Sequence, residues 1–153
     1  MRVLAATDLS RSADAALRLA AALAGPGGVL AVVHVLPALQ PVSMLFPQRH
    51  AQDSLDVAQL TVRVTDAVRE RVARISGCDA EIFVEEGAAY AAIVKRADAW
   101  MADGIVVGSH GHSGLERLVG GVAERVVRYA RCRVLVVRES PASGLRLGSD
   151  RPV

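Results

Sequence analysis

Two stretches of this chain carry residue types suited to holding an anion. The first runs Gly108-Ser109-His110-Gly111-His112-Ser113-Gly114 and resumes at Gly120-Gly121. Five glycines fall within the fourteen residues from Gly108 to Gly121. Backbone at that density turns tightly and can bring several N–H groups to one ligand. A helix is expected from Val122 to Tyr129, and its positive amino end would add to those amides. The pattern is that of a phosphate cradle. The second stretch, Thr7-Asp8, offers a hydroxyl and a carboxylate. Asp8 has two readings: it caps the helix that follows, or it accepts from an exocyclic amine or ribose hydroxyl of a ligand.

Other chemistry finds less support. His110 and His112 stand two residues apart in a loop without a carboxylate partner, which makes a poor metal site. Contact with phosphate or solvent suits them better. Ser109 and Ser113 can donate to phosphate or satisfy the loop backbone. His34 falls in an apolar run and reads as a hydrogen-bonded core residue. Cys78 and Cys132 have no metal or redox spacing and read as reduced thiols. No G-x-x-x-x-G-K-[ST] sequence is present, which excludes a P-loop nucleotide hydrolase. Nor is an activated nucleophile or poised base in view, so catalysis is the least supported class, at most a slow ATPase.

Both stretches need strands and helices to aim them. Val3 to Ala6 and Val29 to Leu36 are short apolar runs of the kind expected in buried parallel strands. Arg11 to Ala24 lies between them, with Ala16, Leu19, Ala20 and Leu23 predicted on one packed side. Pro37 to about His50 carries Pro41 and Pro47 and reads as a loop. Ala51 to Ser76 has the spacing of a long helix, with Leu60, Val64, Val68, Val72 and Ile75 facing inward. Ala80 to Glu85 is a third strand, Ala89 to Met101 a third helix, and Ile105 to Val107 a fourth strand. Val122, Val126 and Tyr129 mark the fourth helix and Val134 to Val137 the last strand. The alternation gives a doubly wound α/β sheet over residues 1–138, followed by a tail, 139–153, whose Pro, Gly, Ser and charge suggest disorder.

In such a sheet a ligand binds beyond the carboxyl ends of the strands, where the winding reverses. With the first strand central, that place lies between the first and fourth strands. Thr7-Asp8 leaves one, and the glycine-rich stretch leaves the other.

Composition narrows the partners. The chain has 153 residues, enough for one domain with a real core. Aromatic residues make up only 3% against 52% hydrophobic, so Ala, Val and Leu must fill that core. A net charge of +2 without a basic run gives no footprint for nucleic acid. Ala22-Leu23-Ala24 imitates a signal cleavage site, but Asp8, Arg11, Asp14 and Arg18 interrupt the stretch before it. No apolar run approaches the roughly 18 residues of a membrane span. A cytoplasmic protein is expected.

VLAATDLSRSADAALRLAAALA at the amino end, Val33-His34-Val35, and VVGSHGHSGLERLVGGVAERVVRYARCRVLVVR together resemble the universal stress proteins. The resemblance spans residues 1–138. It implies a flavodoxin-like or Rossmann-like open parallel sheet of strand order 3-2-1-4-5 with helices on both faces. It also implies a homodimer paired through the fifth strands, Val134 to Val137, and a role in stress adaptation. One branch of the family binds ATP through a G-x-x-G-x9-G-[S/T] pattern. Gly108, Gly111 and Gly121 match it, but Val122 stands where the hydroxyl residue belongs. Aligning on GGVAERV instead puts Gly121 at the hydroxyl position and shortens the loop by one residue. By this resemblance Asp8 and Val35 hold the base end, and Ala6, Thr7 and Val107 also count among the ligand-binding residues. Gly108, Ser109, His110, Gly111, His112, Gly120, Gly121 and Val122 hold the phosphates. The expected ligand is ATP, with or without Mg²⁺, in a sensor or regulator; the alternative is a dimeric interaction module of the same fold that binds no nucleotide.

Overall fold

A computed structural model describes residues 1–38, 50–109 and 121–138. Strand β1 (Arg2–Thr7) leads to helix α1 (Arg11–Ala24) and strand β2 (Val29–Leu36). Helix α2 (His50–Ser76), strand β3 (Glu81–Glu86), helix α3 (Ala89–Ala99) and strand β4 (Gly104–Gly108) follow. Helix α4 (Val122–Tyr129) and strand β5 (Arg133–Val137) end the described chain. All strand pairs are parallel, and the order is β3-β2-β1-β4-β5. This is the expected Rossmann-like sheet, with β1 at its centre.

Two apolar layers cover the sheet, because side chains alternate along each strand. Val3, Ala5, Val32 and Val106 pack with Ala16, Leu17 and Ala20 of α1 and with Val68 and Val72 of α2. Leu4, Ala6, Val33, Ile105 and Val107 pack with Ile93 and Ala97 of α3, Trp100, and Val126 of α4. Valine and alanine supply most of both layers, as the scarcity of aromatics required. The one tryptophan is tied at both ends: its Nε1 donates to Glu81, and the Arg2 guanidinium lies 4.1 Å over its ring.

Several predicted faces are shifted. On α1 it is Leu17 that is buried, while Leu23 is more than a third exposed. In α4 only Val126 is buried; Val122 and Tyr129 are 43% and 55% exposed. Leu60 of α2 also faces outward. Helix α3 stops at Ala99, two residues before the expected Met101. There Met101 turns left-handed at φ 54° and Ala102 N–H donates back to the Ala97 carbonyl. A Schellman-type end of this kind usually takes glycine, so the sequence did not announce it. The predicted loop ending at His50 and the tail 139–153 lie almost wholly outside the described residues.

Candidate functional site

The turn after β1 is stitched by its own side chains. Thr7 Oγ1 accepts from Leu9 N–H, Asp8 Oδ1 from Ser10 N–H, and Ser10 Oγ from Ala13 N–H, at 3.1, 3.0 and 3.2 Å. Ser10 is therefore the cap of α1. Asp8 stands two residues ahead of it and closes an Asx turn instead. This removes the capping alternative for Asp8. Leu9 sits at φ 66°, a left-handed conformation that costs a leucine about 1 kcal/mol or more. The three flanking bonds and the packing of Leu9 against the α1/α2 layer hold it there.

His34 secures the same turn from β2. Its Nδ1 lies 2.9 Å from the Thr7 carbonyl oxygen. A carbonyl can only accept, so Nδ1 carries the hydrogen and, in the neutral ring, Nε2 keeps its lone pair. The residue is half-buried and hydrogen-bonded, as expected, but its partner belongs to the candidate site.

The crevice opens where the ladders part. β1 pairs with β4 only from Val3↔Gly104 to Ala5↔Val106. On its other edge β1 stays paired as far as Thr7↔His34, and β4 stays paired with β5 as far as Gly108↔Val137. Ala6-Thr7 and Val107-Gly108 thus leave their shared ladder and keep only their outer neighbours. This is the winding reversal at which a doubly wound sheet makes room for a ligand. Ala6, Val35 and Val107 face one common layer at this end.

Gly108 then lies against the amino end of α1. A Cβ built on it would stand 2.5 Å from Ser12 Oγ, 3.0 Å from the Ser12 carbonyl carbon and 3.1 Å from Ala13 N. Only glycine permits that approach. The turns leaving β1 and β4 are therefore joined through the first residues of α1. Ser109 N–H donates to the Val137 carbonyl at 2.8 Å, so that amide is engaged by β5.

On the far side, Gly121 is the residue preceding α4, at φ −59° and ψ 165°, without a side-chain cap bond. Its carbonyl accepts from Arg125 N–H. Val122 opens the helix with an apolar side chain partly in solvent. His110, Gly111, His112 and Gly120 lie outside the described residues. Among the described residues no group of His, Cys, Asp or Glu could hold a metal ion.

Two contributors went unsingled in the sequence. Ser10 could have been found as the residue just before the apolar period of α1. Ser12 had no such signal, because its part is to be small where β4 approaches. A separate cavity of about 460 Å³ opens between the carboxyl ends of α1 and α2, walled by Leu30, Ile75, Arg18 and Asp79. It includes Cys78 but none of the residues assigned to the crevice.

Comparison with known proteins bears on this geometry. A family model described as the universal stress protein family matches residues 1–138. The chain is 32% identical over 148 residues to universal stress protein A homolog 1 of Coxiella burnetii, covering 88% of this chain and 94% of that one. It is 51% identical over 55 residues to universal stress protein MJ0531 of Methanocaldococcus jannaschii. That match spans only 35% of this chain and about a third of the archaeal protein, 32%. Among solved structures, a universal stress protein in complex with cAMP superposes with a TM-score of 0.65 at 25% identity. The superposition covers 92% of this chain and 98% of that one. No described helix is long and apolar enough to cross a membrane.

Proposed function

The chain belongs to the universal stress protein family, and from that premise we propose that it binds an adenine nucleotide, ATP by preference, in the crevice between β1 and β4. The observation that carries this reading is the parting of the two strands after Ala5↔Val106, with Gly108 seated on α1 beside the Thr7-Asp8 turn. Ala6, Thr7, Asp8 and Val35 take the base and ribose end. Asp8 closes the turn through Oδ1, which accepts from Ser10 N–H, and so carries its carboxylate at the rim of the crevice. Val107, Gly108 and the side chain of Ser109 begin the phosphate end, with His110, Gly111, His112 and Gly120 completing it. Gly121 and Val122 contribute the amides of the uncapped α4 terminus, where a phosphate gains from both N–H groups and dipole. The relative solved with cAMP supports an adenine ligand for this fold.

The protein acts as a cytoplasmic dimeric sensor or regulator of the stress response, with the family domain over 1–138 and little catalysis of its own. The dimer forms through β5, an outer strand whose Leu135 and Val136 are 40% and 45% exposed. An apolar edge of this kind is a template for pairing with a second chain.

Equilibrium titration with ATP and Mg²⁺ tests the ligand. Binding at micromolar to millimolar nucleotide is expected, and no binding at millimolar rejects it. A second reading, a dimeric interaction module without nucleotide, draws on Val122: an apolar residue stands where the ATP-binding branch has a hydroxyl. That reading expects a dimer and no heat in the same titration.

A further inference from the structure

Both lips of the crevice lean on α1. The Thr7–Ser10 turn runs into its amino end, and Gly108 rests on the backbone of Ser12 and Ala13. Whatever fixes that end of α1 also fixes the distance between the lips. One side chain from outside does so. Arg71 of α2 reaches Asp14 in the first turn of α1, Nε to Oδ1 and Nη2 to Oδ2, both at 2.7 Å. The two residues are 57 positions apart, and their side chains are 28% and 16% exposed. A two-pronged guanidinium–carboxylate pair sets orientation as well as distance, which a single contact would not.

We propose that Arg71 is a positioning residue for the crevice: through Asp14 it seats the amino end of α1 against Gly108 and so spaces the Thr7-Asp8 turn from the end of β4. For its ligand this rests on the nucleotide reading above; for its mechanics it rests on the ion pair and the Gly108 contact alone. The charges agree with the geometry. The Asp14 hydrogen bond raises the Arg71 pKa above its ordinary value against the lowering by burial, and the charges of Asp14 and Asp8 raise it further. Arg71 is thus the cation set against both carboxylates, one of which faces the ligand.

The test compares Arg71→Gln, Arg71→Lys, Asp14→Asn and the double variant Arg71→Gln/Asp14→Asn. The free proteins are followed by amide hydrogen exchange and then titrated with ATP. Arg71→Gln is expected to speed exchange about tenfold at Ala13, Asp14 and Ser109 while leaving Val32 in the sheet centre unchanged. Its ATP Kd rises about five- to tenfold, and the double variant loses no more than either single one. Arg71→Lys falls between, because an ammonium restores the charge but not the fork; it also serves should Arg71→Gln fail to fold. Unchanged exchange at those three amides overturns the proposal. So does faster exchange spread evenly to Val32, which would mark a general loss of stability. If wild-type protein binds no ATP, the nucleotide reading falls, and the exchange pattern alone decides whether Arg71 seats α1.

Discussion

Gly108 and Ser12 meet so closely that a single added carbon on the glycine would stand 2.5 Å from the serine hydroxyl and 3.0 Å from its backbone. Gly108 ends β4 and Ser12 begins the buried side of α1, so this contact joins the two turns that frame the crevice. Gly108→Ala must push α1 and β4 apart by several tenths of an ångström. The expected cost is about 1–3 kcal/mol, the usual range for overpacking a tight contact. ATP affinity should fall about tenfold, since a binding geometry tolerates only about 0.5 Å of error. Urea unfolding and calorimetric titration measure the two effects. A variant with wild-type values in both would mean the contact does not set the crevice.

Asp8 joins two roles that one substitution can separate. Asn keeps one oxygen to accept from Ser10 N–H, so Asp8→Asn leaves that turn bond in place while it removes the charge and turns the second acceptor oxygen into an NH2 donor. Stability within about 0.5 kcal/mol of wild type is expected, with ATP binding weakened several-fold. Asp8→Ala removes the turn bond as well and should lose about 1 kcal/mol of stability in addition. Equal affinity in wild type and Asp8→Asn would place Asp8 outside the ligand contacts.

What the sequence disclosed and what it concealed follow from the range of the interactions involved. Strand and helix boundaries were readable where the apolar period was unbroken: α1 runs from Arg11 to Ala24 and β2 from Val29 to Leu36, as expected. The place where β1 and β4 part was readable too, because strand order is a topological fact. The faces of α1 and α4 were not. Leu17 is buried in place of Leu23, and Tyr129 lies in solvent with its ring 5.7 Å from that of Tyr90. A helix on a sheet buries a strip set by its crossing angle, which its own sequence does not carry. The Arg71–Asp14 pair was concealed for the same reason. Arg71 stands beside Arg69, Glu70 and Arg74 with nothing in the local pattern to set it apart, and only tertiary packing singles it out.

The two thiols should differ in reactivity. Cys78 is exposed, whereas Cys132 is half-buried against the α3/α4 layer. Burial pushes the Cys132 thiol up, opposed by its own backbone hydrogen bond and aided by the charges of Asp98 and Asp103. Iodoacetamide at about pH 8 should label Cys78 first, since the thiolate is the reacting form. A raised acid pKa means that the folded state keeps a proton which the unfolded chain releases sooner. The stabilisation is whole below the ordinary thiol pKa and is lost as pH rises through the raised one. Cys132→Ala should therefore flatten the fall of stability above about pH 8.5. Peptide mapping and alkaline unfolding curves check the two statements.

The β5 edge tests the dimer. Leu135→Glu puts a charge on an outer-strand position that is 40% exposed and belongs to neither core layer. Sedimentation equilibrium should show the variant dissociating at least about tenfold more readily, as charged residues on edge strands block pairing. Thermal stability of the monomer should change by less than about 1 kcal/mol. An unaltered dimer would place the interface elsewhere.

Gly121 and Val122 decide between the two ways of laying the ATP-binding pattern on this chain. One alignment misses its hydroxyl at Val122, the other at Gly121. Gly121 has φ −59° and ψ 165°, a backbone that serine adopts without strain. A serine there can accept from an amide of the first turn of α4 while its own hydrogen points to a phosphate. Capping alone should add a few tenths of a kcal/mol over glycine. The phosphate bond should add about 0.5–1.5 kcal/mol, a gain of roughly three- to twelvefold in ATP affinity. Val122→Thr exchanges a methyl for a hydroxyl of equal size at a position 43% exposed, so the fold is undisturbed. If the loop is one residue short, Gly121→Ser gains affinity and Val122→Thr does not; if the loop has its full length, the order reverses. Parallel titrations of both variants against wild type read this directly. A gain from neither would move the phosphates away from the start of α4, and with them the cradle assigned to this end of the crevice.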